Sequence, residues 1–189
     1  MSALYVTALG NVDEDALAAI EVCLWQSFGF EIRRSSPLDE PAFAFDVQRK
    51  QHSSVLTLRE VLGRIPSDAL KVLAVTEKDL FIPMLSFVFG QAQVNGRAAV
   101  ISLARLRQEF YGLSPNRALF LARSMKEAVH EMGHTFGLTH CMDSTCPMSL
   151  SNTIAHVDRK GTELCRNCSI ILEENTKHIR TGNGAGERL

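Results

Sequence analysis

A chain of 189 residues, 46% hydrophobic and 22% charged with 12 Gly and 6 Pro, has the make-up of one compact globular domain and excludes disorder, collagen and a membrane bundle. Its 20 basic against 21 acidic residues leave a net charge of −1, and with no basic block longer than Gln48-Arg49-Lys50-Gln51 nothing grips a phosphate backbone. The N-terminus turns acidic at Asp13, Glu14 and Asp15, and the apolar run Leu80 to Phe89 is broken by Pro83 and Ser86, well short of the ~20 residues a bilayer needs.

A cytoplasmic monomer is therefore expected, meeting neither membrane nor nucleic acid. Ala3 to Ala8 predicts a first strand, and the acidic cluster then opens a helix where negative charge is favoured. Leu17, Ile20, Leu24 and Phe28 recur at helical spacing up to Gly29, so one face packs on a sheet. Cys23 and Trp25 lie in this helix. No Cys or His is near Cys23 in sequence, so it reads as a small buried apolar residue.

Phe30 to Arg33 predicts a second strand, followed by a loop from Ser35 to Pro41 and a polar stretch from Gln48 to Ser54. A second helix runs from about Ser54 to Leu62, and Lys71 to Thr76 reads as a buried third strand joined by right-handed parallel crossovers. Ser86 to Gln93 and Ala98 to Leu103 flank Val94-Asn95-Gly96-Arg97. Asn-Gly between β-rich runs predicts a type I′ hairpin, placing one antiparallel strand at the edge of an otherwise parallel sheet. Ser114 as cap and Pro115 at the first helical position open a third helix, with Leu121, Met125, Ala128, Val129, Met132 and Phe136 as its apolar stripe. The last residues, from Thr181 to Leu189, read as a tail.

On the other face of that third helix stand His130 and His134, one turn apart and able to share a zinc ion at about 2.0–2.1 Å. The full string is HEMGHTFGLTH: Gly137 lets the chain break out of the helix and His140 returns as a third ligand. Glu131, beside the first ligand, is free for proton transfer. With 6 His in the chain, a chance match to all of HExxHxxGxxH has a probability of roughly 3 in 100,000, so a zinc site is the stronger reading. Three neutral ligands leave a position for water, whose pKa falls from 15.7 to about 7 on zinc. Cys141 and Cys146 follow His140, and Cys165 and Cys168 (CRNC) come after an eighteen-residue connection. Four thiolates so spaced can wrap a closed, tetrahedral structural zinc; reactive or disulfide-forming cysteines are the alternative.

Taken together, HExxHxxGxxHC, a second Cys that stands in Cys-x-Met, and CxxC resemble the archaemetzincins, a family of the metzincin clan of zinc metalloproteases. The resemblance covers the half from Ser114 and, less specifically, EKDLFIPMLSFVFGQA and AAVISLARL. It implies His130, His134 and His140 as catalytic zinc ligands, Glu131 as general base, Met148 as the methionine of a turn beneath the metal, and the four cysteines as a second, structural zinc site. The implied fold is α/β (α+β): a twisted mixed sheet with one antiparallel edge strand, an active-site helix and a small C-terminal lobe.

The expectation is thus a single catalytic domain, with an N-terminal lobe over 1–137, a C-terminal lobe over 138–180 and a tail over 181–189. It carries two zinc ions and cuts peptides or proteins. A peptide-binding protein that keeps the zinc architecture without turnover is the rival, and Glu131 favours the enzyme. A nucleic-acid binder built on the four cysteines is disfavoured by the net charge.

Overall fold

The computed structural model describes residues 3–181. Strand β1 (Ala3–Leu9) leads into helix α1 (Glu14–Phe28), whose first turn is capped by Asp13 accepting from the Ala16 amide at 3.0 Å and whose end is the left-handed Gly29. Next come β2 (Ile32–Arg34), the short strands β3 (Phe45–Asp46) and β4 (Gln51–Ser53), and α2 (Ser54–Gly63), capped by Ser53. The chain continues through β5 (Ala69–Thr76), β6 (Leu80–Phe81), β7 (Gly90–Ala92) and β8 (Ala98–Ser102). Three helices close it: α3 (Arg117–Thr135), α4 (Ile154–Arg159) and α5 (Arg166–Thr181).

The main sheet runs β2-β1-β5-β8-β7. β1 pairs with β2 and β5, and β5 with β8, all in parallel, while β7 lies antiparallel to β8 with Gly90 opposite Ile101 and Ala92 opposite Ala99. Every residue of β8 is buried, as expected of a strand covered on both faces. One face carries α1 and α3, through Leu17, Ile20, Leu24, Val129 and Met132 against Leu4, Val6, Leu73 and Ile101. The other carries α2, through Leu58 and Val61 against Val72, Ala74 and Val100. No described helix is long and apolar enough to cross a membrane.

Several local expectations are corrected. Of the stretch 86–93 only Gly90–Ala92 is strand; Val88 instead donates to the Leu80 carbonyl at 2.9 Å, drawing the preceding residues toward a second sheet, β3-β4-β6, that the polar sequence there did not announce. The hairpin is not type I′, which needs positive φ at both central residues. Only Asn95 has it, at 53°, and the Gly96 amide closes the turn on the Gln93 carbonyl at 2.9 Å. The turn seats on α3 instead, with the Asn95 amide on the His134 carbonyl at 2.9 Å and the Lys71 ammonium on the Gly96 and Thr135 carbonyls at 2.5 and 2.9 Å. Helix α3 starts two residues late, because the Asn116 side chain accepts from the Leu119 amide at 3.0 Å and leaves Pro115 outside. Thr181 is helical, and the rest of the expected tail lies outside the described residues.

Candidate active site

The last two turns of α3 carry His130, Glu131 and His134, and the chain then breaks at Gly137, whose φ of +85° a side-chain-bearing residue rarely adopts. Asn175 from α5 holds this break by donating to the Phe136 carbonyl at 2.8 Å. The break returns His140 to the helix, so that the three ring centroids stand 4.6, 5.0 and 5.4 Å apart. One nitrogen from each ring lies within 4.8 Å of the others.

Hydrogen bonds fix which nitrogens face inward. His130 Nδ1 is 2.7 Å from the Pro147 carbonyl and His134 Nδ1 is 2.7 Å from the Leu138 carbonyl. A carbonyl only accepts, so each Nδ1 carries the proton and each Nε2 presents a lone pair. The two Nε2 atoms nevertheless stand 3.2 Å apart. Lone pairs so placed repel unless a cation lies between them, and two ligands at 2.0–2.1 Å on a tetrahedral zinc are about 3.3 Å apart. Burial holds all three imidazoles below their ordinary pKa, His130 furthest, helped by the Lys160 charge. They are therefore neutral donors, as a metal requires.

Glu131 is 5% exposed; burial and then the charge of Glu127 push its carboxyl well above the usual range. Glu127, one turn earlier, pairs with the Lys160 ammonium at 3.2 Å, both side chains almost wholly buried. The same ammonium is 3.4 Å from His130 Nδ1. Met148 is fully buried below the helix, and a Cβ at Gly133 would lie 2.5 Å from its sulfur, so the helix needs glycine there to rest on the methionine.

Directly beyond His140, Cys141, Cys146, Cys165 and Cys168 place their sulfurs within 4.8 Å of one another. All are free thiols. Cys141 and Cys165 sulfurs are 3.7 Å apart, too far for a disulfide and close to the ~3.8 Å between two sulfurs bound at 2.3 Å to a tetrahedral zinc. The Asp143 amide donates to the Cys141 sulfur at 3.4 Å. Both ligand sets therefore fit zinc. Cys23 stays apart from them, on the buried face of α1.

A cleft of about 550 Å³ opens over the histidines. Its walls are β7 with the residues leading into it, the α3 face from Glu127 to His134, and Leu150 to Asn152. β7 lies at the sheet edge, with one side of its main chain unpaired by the main sheet. The sequence brought forward Glu131 and, among the described residues, both groups of side chains that could hold a metal. It passed over Glu127, whose spacing of four from Glu131 was the available signal, and Lys160, which no local pattern marks.

A family description, peptidase family M54, matches residues 44–174. The archaemetzincin of Methanocaldococcus jannaschii is 39% identical over 92% of this chain and 94% of its own length. Among solved structures, the archaemetzincin of Methanopyrus kandleri superposes with a TM-score of 0.83 at 35% identity, covering 93% of this chain and 96% of that one. A zinc-dependent peptidase from Methanocorpusculum labreanum gives 0.80 at 28% identity, covering 89% and 99%.

Proposed function

The chain belongs to peptidase family M54 with the archaemetzincins and is a zinc metalloprotease; from that premise we propose how its residues divide the work. His130, His134 and His140 hold the catalytic zinc, and Cys141, Cys146, Cys165 and Cys168 hold a second, structural zinc. The arrangement of the two Nε2 lone pairs, 3.2 Å apart behind Nδ1 protons tied to carbonyls, carries this reading.

Bound at the histidines, zinc supplies Lewis acidity that polarises the scissile carbonyl and acidifies the attacking water. The other roles fall to the chain. Glu131, buried in the cleft with its affinity for protons raised by its surroundings, takes the proton from the attacking water and delivers it to the leaving amine. The free side of β7 holds an extended peptide by strand addition. Met148 is the floor on which the helix rests. The N-terminal lobe over 1–137 supplies the roof and helix of the cleft, and the lobe over 138–180 the floor.

Peptide turnover and metal content, measured together, test this. Glu131→Ala should keep both zinc ions and its fold while losing turnover by about 10²–10⁴-fold, the range of general acid–base catalysis. His134→Ala should lose one zinc and turnover together. A wild-type protein that binds peptides but cuts none from a broad library, or a Glu131→Ala variant that cuts as fast, would replace the enzyme with a zinc-containing peptide-binding protein.

A further inference from the structure

Gly90 stands at the start of β7 with an ordinary φ, so its main chain makes no demand for glycine. A glycine inside a strand weakens it and marks a close approach by another group. Here that group is Glu131. A Cβ at Gly90 would lie 2.6 Å from Glu131 Cγ and 2.7 Å from Glu131 Oε1, with the Val100 carbonyl oxygen also at 2.7 Å. Alternation along β7 agrees: Gln91 points the other way, accepting from the Ser54 hydroxyl at 2.6 Å, while Ala92 packs against the core that α3 covers.

The Glu131 carboxylate has little else to hold it. Among the described residues none donates a hydrogen bond to it, although the residue is only 5% exposed. Its place is set by walls, and the wall toward the sheet has a side chain missing at one residue. We propose that Gly90 is a positioning residue: the absent side chain is the recess that holds the Glu131 carboxylate in line with the cleft, and any larger residue evicts it. The inference rests on Glu131 being the general base.

The test is a cycle of the zinc-loaded full chain with Gly90→Ala, Glu131→Ala and both. Gly90→Ala should lower kcat by about 100-fold, the cost of misplacing a catalytic group by an ångström, with KM and zinc content unchanged. Its thermal midpoint should fall by several degrees. Added to Glu131→Ala, the same substitution should lower the midpoint by less than half as much, because the evicted group is gone. An equal fall in both backgrounds would mean that glycine serves only the Val100 carbonyl and would overturn the proposal; so would a Gly90→Ala kcat close to wild type. If Gly90→Ala does not fold, the double variant decides, supporting the recess by folding and overturning it by failing. Coupled midpoints in a protein without any turnover would keep the recess and sink the peptidase reading.

Discussion

The three histidines and the four cysteines adjoin in sequence at His140-Cys141 yet are built on opposite plans. Two of the histidines ride one helix, and main-chain carbonyls orient their rings before any metal arrives. The cysteines come from two segments, with partners such as Cys141 and Cys165 separated by 24 residues; main-chain bonds shape each segment, the Cys141 amide on the Met148 carbonyl at 2.9 Å and the Ser169 amide on the Cys165 carbonyl at 2.9 Å, while the thiols themselves meet across segments. The first set is prepared by the fold and opens on the cleft, with His140 exposed. The second joins two segments distant in sequence, so an ion there would tie them together. A metal in the first adds chemistry to a folded protein, whereas a metal in the second adds folding free energy.

Cys165→Ser probes that contrast at its largest. It should remove one zinc and destabilise the chain by several kcal/mol, seen as a sharp fall in the urea midpoint. The same protein stripped only of its histidine-bound zinc should lose far less. Equal losses would erase the distinction.

Lys160→Met comes next, since removing one partner of a buried ion pair costs about 3–5 kcal/mol. The double change Lys160→Met with Glu127→Leu should recover much of it in thermal melts, which separates pairing from packing. Recovery of stability without loss of zinc would show that the histidine set stands on its hydrogen bonds.

Protons report the contrast directly. Burial depresses the imidazoles, so they stay neutral as pH falls past 6.5 and zinc displaces almost no protons there near neutrality. Burial raises Cys146 and Cys168, so these thiols carry protons that zinc must expel. Calorimetry in buffers of different ionisation enthalpy should therefore find protons released at the cysteine site, those of Cys146 and Cys168 at least, and close to none at the other. In the absence of zinc the depressed imidazoles also stabilise the fold above pH 6.5. That contribution is lost as pH drops, because the unfolded chain takes up the protons first.

The smallest effect belongs to Cys23→Ser, which should leave the zinc count unchanged and cost roughly 1 kcal/mol from a buried site. Loss of a zinc on this change would break the assignment of the other four.

The candidate metal ligands were legible because covalent spacing fixed them: a helix turn separates His130 from His134, a glycine break returns His140, and CRNC presents two thiols together. The parallel strands were legible as continuous apolar runs such as Lys71 to Thr76. What escaped reading depends on tertiary approach. Lys160 reaches Glu127 across 33 residues, the crowding at Gly90 comes from Glu131 of α3 and the Val100 carbonyl, both distant in sequence, and β3, β4 and β6 are too short to leave a period. The Asn-Gly turn misled because the His134 carbonyl and Lys71 impose a geometry that local propensity does not contain.

That seating of the hairpin on the end of α3 sets the gauge of the cleft over the histidines. The Asn95 amide on the His134 carbonyl and the Lys71 bridge to Gly96 and Thr135 rivet the roof of the cleft to its helical wall through main-chain atoms. The aperture is thereby inherited from backbone length, and trimming rim side chains such as Leu85 or Leu150 alters what the walls prefer but leaves their spacing intact. Redesign for a bulkier polymer would start by adding or removing residues between Gln93 and Ala98.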